Sequence, residues 1–426
     1  MTRLLEILIS MAIVAVLFLV VGLLLPSSRT LVESVETNRR MTIVYDTINS
    51  LRRFDDWNPL VLRDPKMQLQ LSGPESGVGA RLDYASQNDA LGKGSWEIVE
   101  TEPGESVTYA IDNNQRGSNK RAKFLLTPTG RNNRNVEIKE IYNVDYGWNL
   151  LGRYSGMYVR RNVGDDMQLG LNRLTNMLAS VPNVDYRVEG SKLTGLEAVD
   201  VPAEHLLVVA AGAIERNNEK IKDSMKSNLE WIKRTMDASN LVAAGPIRII
   251  STELGRETYT FDVAQPVRRG GGDADDDDGN EDEGEDEGQA GDDEAADAAD
   301  AVPAPVAAGA EAPLENLKLQ GPVTYVQNPA GRAAKASYTG FMAELDNVRN
   351  ALRAWAMTQG YEVIGRPYEF YKNGVDEAFT ENGQYDVFWT LKPANGAAAA
   401  PAAPAAPAAP AAPEPPAEPP AAAGSR

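Results

Sequence analysis

The hydrophobic pattern of this chain begins with an unbroken apolar run. From Ile7 to Leu25 (ILISMAIVAVLFLVVGLLL) Ser10 is the polar exception. As a helix at 1.5 Å per residue the run reaches roughly 28 Å, close to the hydrocarbon thickness of a bilayer. The pattern predicts a transmembrane anchor over residues 1–28 that meets the lipid bilayer through residues 4–25. A cleaved signal peptide is the rival reading, but the run is longer than the usual signal segment and LLLPSS offers no small-x-small cleavage site. Past the anchor, LVESVETN alternates like a strand, and MTIVYDTINSLRRF places Ile43, Val44, Ile48 and Leu51 at helical spacing. Strand-like pieces then alternate with turn residues: MQLQLSG, ARLDYAS, GSWEIVETEPG, SVTYAID, KFLLTPTG and VEIKEIYNV. Met157 to Ala179 reads as one long helix through Met167, Leu169, Leu171, Leu174 and Leu178. Such an order predicts an α+β domain over residues 29–182, in which a curved antiparallel sheet wraps the last helix.

A second region starts near Asn183. YRVEGSKL and HLLVVAAGA read as strands, NEKIKDSMKSNLEWIKRTMDAS as an amphipathic helix, and IRIIST and ETYTFDVA as further strands. After an interruption, VTYVQNP, a helix over about residues 341–358 and QYDVFWTLKP resume the pattern. The region contains one unit twice. NLEWIKRTM, LVAAGPIRII and ETYTFDVAQP are answered by ALRAWAMTQG, YEVIGRPYEF and ENGQYDVFWTLKP, with Trp231 matching Trp355 and Gly245-Pro246 matching Gly365-Arg366-Pro367. Glu257 precedes Asp262 at the same spacing as Glu381 precedes Asp386. Shared amphipathicity explains the helices but not Trp, turn, Glu and Asp in one order. The expectation is two pseudo-twofold halves, residues 183–269 and 314–393, with a ligand-sized groove between them. Residues 270–313, rich in Asp, Glu, Gly and Ala, and the Ala/Pro repeat of residues 394–426 lack the apolar content to fold, so the first reads as a disordered linker and the second as a disordered tail.

Charge and composition narrow the chemistry. The formal net charge is -19, but 16 acidic side chains and no basic one lie between Asp273 and Asp300, leaving -3 elsewhere. With near-neutral domains and no Lys/Arg stripe, a nucleic-acid partner is not expected. Cysteine is absent, which removes disulfides, thiolate nucleophiles and Cys-based metal sites. The single histidine, His205, lies at the edge of an apolar strand and reads as structural. No phosphate loop, metal-ligand spacing or nucleophile elbow is present, so neither a metal nor another cofactor is expected. GPESGVGA joins two strands and reads as a hairpin turn. Within the first domain, Tyr84, Glu97, Glu137 and Tyr142 are groups that could serve an acid or base role, on strands where alternation sends about half of them outward.

Trp57-Asn58-Pro59, the turn Gly73 to Ala80 and the strand Gly94 to Pro103 carry a resemblance to the SRPBCC superfamily, the START-like or polyketide-cyclase-like helix-grip fold, over about residues 30–180. The resemblance implies a deep apolar cavity between sheet and helix for a hydrophobic small molecule or lipid, with Trp57, Tyr84, Trp96 and Tyr142 as ligand-facing positions. The duplicated region is similar to the GyrI-like, or AraC-type effector-binding, family, which implies βαββ halves and a central cleft for a cationic or aromatic effector. By position Trp231, Tyr371, Glu381, Tyr385, Asp386 and Trp389 are its candidates, although strand aromatics are more often core. No DNA-binding module accompanies it.

The whole reads as a membrane-anchored binding or sensory protein, with binding favoured over catalysis and no catalytic residue assigned. A cyclase- or hydrolase-type enzyme and an envelope scaffold acting through the acidic linker and Pro/Ala tail stand as alternatives, and no protein partner is identified. Its expected place is a bacterial inner membrane. The Arg count flanking the anchor puts the soluble part in the cytoplasm, whereas the missing cysteines and the Pro/Ala tail suit the periplasm, toward which the reading leans.

Overall fold

The computed structural model describes residues 2–188, 192–254, 257–270 and 312–393. Most of the linker and the whole tail lie outside the described residues. Helix α1 (Thr2–Leu24) is almost wholly exposed along its apolar length, and Leu5–Leu24 is long and apolar enough to cross a membrane. Among the described residues no hydrophobic core covers this 23-residue helix, which meets α5 near its C-terminal end.

The first body is an antiparallel seven-stranded sheet in the order β1-β7-β6-β5-β4-β3-β2. Its strands are β1 (Ser28–Thr37), β2 (Gln68–Ser72), β3 (Arg81–Ala85), β4 (Lys93–Glu102), β5 (Ser106–Asp112), β6 (Ser118–Thr129) and β7 (Asn135–Asp145). Between β1 and β2 run α2 (Met41–Ile48) and the single turns α3 (Phe54–Trp57) and α4 (Leu60–Arg63). After β7 come α5 (Leu150–Ser155) and α6 (Asp165–Ala179). Leu171, Leu174 and Leu178 of α6 and Ile43, Val44 and Ile48 of α2 share one core with the inner sheet face, including Ile98, Phe124 and Ile138. Fully burying such a side chain is worth about 1.5–3 kcal/mol, which fixes strand register and helix position together.

Two helices differ from the expectation. The segment 41–54 is broken after Ile48, whose carbonyl is taken by the Tyr109 hydroxyl, so that Phe54 and Trp57 turn into the grip. Met157–Ala179 is interrupted by a π-turn at Arg160–Gly164, and α5 precedes it.

The second body is a nine-stranded antiparallel sheet whose main path is β13-β9-β12-β11-β15-β16-β14-β8. In chain order these are β8 (Leu193–Val201), β9 (Glu204–Glu215), α7 (Asn218–Ser239), β10 (Leu241–Ala243), β11 (Arg248–Leu254), β12 (Thr258–Arg269), β13 (Thr324–Asn328), β14 (Gly331–Thr339), α8 (Leu345–Thr358), β15 (Tyr368–Tyr371), α9 (Gly374–Glu377) and β16 (Gln384–Thr390). The segments before and after the linker meet at β11 and β15, where Ile249 pairs with Glu369. Their edge strands are exchanged: β8 pairs with β14 of the second segment, and β13 with β9 of the first. Of YRVEGSKL, expected as a strand, Tyr186–Val188 and Lys192 are not strand, Leu193 opens β8, and residues 189–191 lie outside the described residues. Tyr186 instead plugs the seam between the bodies, donating to Asp46 (2.8 Å) and lying 3.1 Å from the Thr358 hydroxyl. Burial raises the Asp46 carboxyl above its usual range, which the Arg187 guanidinium partly opposes. The seam itself is α2 against α8, with Ala351 and Ala354 joining the first core.

Candidate functional site

The helix grip is filled at depth by aromatic rings. Phe54, Trp57, Phe124, Tyr109 and Trp96 form a closed circuit of edge-to-face contacts, with centroids 5.3–5.8 Å apart. Each such contact adds about 0.5–1.5 kcal/mol beyond area burial. Beside the circuit a cavity of about 100 Å³ remains, lined by Trp57, Tyr84, Trp96, Tyr142, Met167 and Glu140 among others. At about 30 Å³ per water this is room for roughly three waters or the tip of an acyl chain. The deep cavity implied by the resemblance is therefore much reduced, because the aromatic circuit occupies it.

All four expected positions of the first domain, Trp57, Tyr84, Trp96 and Tyr142, line this one cavity. Tyr84 and Tyr142 reach it through strand alternation, and burial raises both phenols above their usual range. Glu97 and Glu137 face the other way: Glu97 pairs with Arg81 at 2.9 Å and Glu137 with Lys139 at 3.5 Å. The acid inside is Glu140, which lies on the inward register of β7 with Val136, Ile138, Tyr142 and Val144. Strict alternation along VEIKEIYNV was the signal that would have found it.

Glu140 is 6% exposed, and burial first, then the facing Glu33, pushes its carboxyl up to about 8. At neutral pH it is a neutral acid and a hydrogen-bond donor. The indole N–H of Trp57 is buried with no hydrogen-bond partner among the described residues. At the rim, Arg63 of α4 holds Asp166 of α6 through 2.6 and 2.7 Å contacts, and Asn113 and Gln115 come from the β5–β6 turn. The site thus offers aromatic and aliphatic groups at depth, polar groups from Asn58, Asn113, Gln115 and the Arg63–Asp166 pair, and a carboxyl that burial holds in its neutral form. Among the described residues no cluster of His, Asp and Glu could hold a metal ion.

The second region does not gather its expected residues. Tyr371 and Tyr385 are buried on the helix-facing side of the sheet, 5.0 Å apart and edge-to-face. Asp386 lies on the other face, accepting from Ser337 at 2.7 Å and facing Lys372 at 3.6 Å. Glu381 is exposed in the loop before β16. Trp389 lies under Arg353, whose guanidinium is 5.8 Å from its ring. Trp231 is covered by the backbone at Gly321, where an added Cβ would come within 2.6 Å of its ring. The buried acid here is Glu369, fully enclosed beside Tyr259 and Tyr371 and paired with Arg349 of α8 at 2.5 Å. Burial works against the Arg349 charge, but the Glu369 carboxylate together with Tyr259 and Tyr371 outweighs it and raises the group above its usual value.

Residues 28–179 match the family described as polyketide cyclase / dehydrase and lipid transport, so this stretch is an SRPBCC-type domain. Norcoclaurine synthase from Thalictrum flavum, solved with dopamine and hydroxybenzaldehyde, is 10% identical, with 36% of this chain and 87% of that one covered and a TM-score of 0.28. A Thermobifida fusca protein is 20% identical over 35% and 93% of the two chains, with a TM-score of 0.28. The EcmrR C-terminal domain is 11% identical over 46% of this chain and 97% of that one, with a TM-score of 0.31, a weak and partial likeness to effector-binding domains. No curated protein matches the chain.

Proposed function

We propose that this is a membrane-anchored, non-catalytic binding or sensory protein whose SRPBCC-type domain holds a small hydrophobic molecule or the end of a lipid chain. The observation that supports this reading most is the convergence of Trp57, Tyr84, Trp96 and Tyr142 on one cavity with a neutral Glu140. The aromatic and aliphatic part of the lining accepts an apolar group, and Glu140 with Asn58, Asn113 and Gln115 offers hydrogen bonds to a carbonyl or hydroxyl. A ligand larger than the present cavity enters by parting Arg63 from Asp166. The anchor is assigned to a bacterial inner membrane with the domains on the periplasmic side, to be tested with a C-terminal reporter active on one side of the membrane.

Native mass spectrometry of the detergent-purified full chain tests the first cavity. A bound apolar species is expected, and Ile111→Trp, which fills the cavity, should reduce its affinity about tenfold, equivalent to ~1.4 kcal/mol. Unchanged loading of that variant would place the ligand elsewhere. Glu140 also favours a second reading. A carboxyl held near 8 is suited to general-acid work, and turnover that disappears in Glu140→Gln while binding persists would favour an enzyme of cyclase or hydrolase type.

A further inference from the structure

The end of α1 does not leave the membrane as a free stalk. Arg153 of α5 donates through Nη1 to the carbonyls of Leu23 (3.0 Å) and Leu25 (3.1 Å), and through Nε to Gly147 (2.8 Å). These contacts satisfy carbonyls that a helix C-terminus leaves unpaired. Farther down, the Tyr154 hydroxyl donates to the Phe18 carbonyl at 2.7 Å, and the two rings stack at 4.3 Å. Gly22 permits this approach, since a Cβ there would meet Tyr154 and Leu150 at 3.2–3.3 Å.

These contacts fix the depth of the loop. If Phe18–Leu24 were kept out of the lipid so that Tyr154 stayed in water, the apolar helix left over would be Leu5 to Leu17. That remnant is about 20 Å long against a hydrocarbon core of about 30 Å. Spanning with the full Leu5–Leu24 stretch instead puts Phe18, and Tyr154 with it, roughly 9 Å inside the end of the helix. The surface around Tyr154 suits that position. Trp148 is 84% exposed, Leu151 56%, Met157 54% and Tyr158 64%, while Arg160 and Arg161 beside them are exposed. Aromatic and aliphatic side chains bordered by arginines are the composition of a membrane interface.

We propose that residues 147–158 form a second membrane-contact element, inserted at the level of the last turns of α1 and fitted to a lipid surface. The inference rests on the reading of α1 as a membrane span and does not depend on any ligand in the cavity. Its consequence is orientation. Strand register places Ser28, Ser118 and Asp145 at the same end of the sheet, and the cavity residues Asn113 and Gln115 lie in the turn leading to Ser118. The inserted loop therefore turns that rim of the cavity toward the bilayer.

The chain has no cysteine, so single labels report cleanly. Leu151→Cys, Met157→Cys, Val14→Cys and Glu105→Cys are each labelled with an environment-sensitive fluorophore in the full chain reconstituted into nanodiscs. Glu105 is exposed in the β4–β5 turn, at the opposite end of the sheet. Labels at 151, 157 and 14 are expected to be quenched roughly twofold or more by lipids carrying a nitroxide, and the label at 105 to be unaffected. Quenching at 14 without quenching at 151 and 157 overturns the proposal and leaves the span intact. Loss of quenching at 14 as well overturns both.

Discussion

Arg349→Met is expected to destabilise the second domain by about 3–5 kcal/mol, because it leaves the Glu369 carboxylate buried without its partner. Glu369 is 0% exposed and sits between Tyr259 and Tyr371. Its Oε2 has no hydrogen-bond partner among the described residues, so nothing near it replaces the guanidinium. Burial, then the adjacent carboxylate, already pushes the Tyr259 phenol up to about 12, which indicates how poorly this pocket tolerates further negative charge. The check is urea unfolding of Arg349→Met, Glu369→Gln and the double variant. Because the double variant removes both charges, it should recover at least half of the loss. Full additivity of the two single effects would mean that the ion pair contributes nothing as a pair.

Glu140→Gln should change how stability depends on pH. The folded state holds the Glu140 proton to about pH 8, whereas the unfolded carboxyl releases it near 4.5. Between those values the native state binds more protons than the unfolded chain, so stability falls as pH rises through that window and levels off above it. At 1.36 kcal/mol per unit the ceiling is about 5 kcal/mol, and water reaching the carboxyl through the cavity rim brings the expected fall to about 2–3 kcal/mol. Glutamine keeps a hydrogen-bonding side chain of similar size and cannot ionise. The variant should therefore lose this part of the pH dependence and exceed the parent in stability at pH 9. Parallel stability curves from pH 5 to 9 would show that Glu140 ionises freely in the folded protein.

Both predictions concern residues that pattern reading passed over, and for related reasons. Glu140 and Glu369 each interrupt an apolar strand face, and composition gives a lone glutamate in a strand no special standing. Alternation places Glu140 with Ile138 and Tyr142, and Glu369 with Tyr371. It does not say whether an acid on the inner face meets a cavity, as Glu140 does, or a cation from a distant helix, as Glu369 meets Arg349. That difference depends on α4, α6 and α8 arriving from elsewhere in the chain.

Local pattern was sufficient for the elements it governs. The apolar run that became α1, the period-2 strands of the first sheet and the 3.6-period α7 are all legible in sequence, because each depends on side chains within one or two turns or strand repeats of one another. Trp57, Tyr84, Trp96 and Tyr142 were expected as ligand-facing positions through the family resemblance alone, since alternation by itself does not say which face of a strand is the inner one. Only tertiary packing decided how much space remained between them, since the aromatic circuit closes through rings from α3, β4, β5 and β6. It also decided that Tyr186 would serve the seam instead of a strand, and that β8 would pair with β14 and β13 with β9. Helix α1 divides in the same way. Its length and apolarity are properties of residues 7–25, but its docking on Arg153 and Tyr154, some 130 residues later in the chain, required the fold that brings α5 back to the helix end.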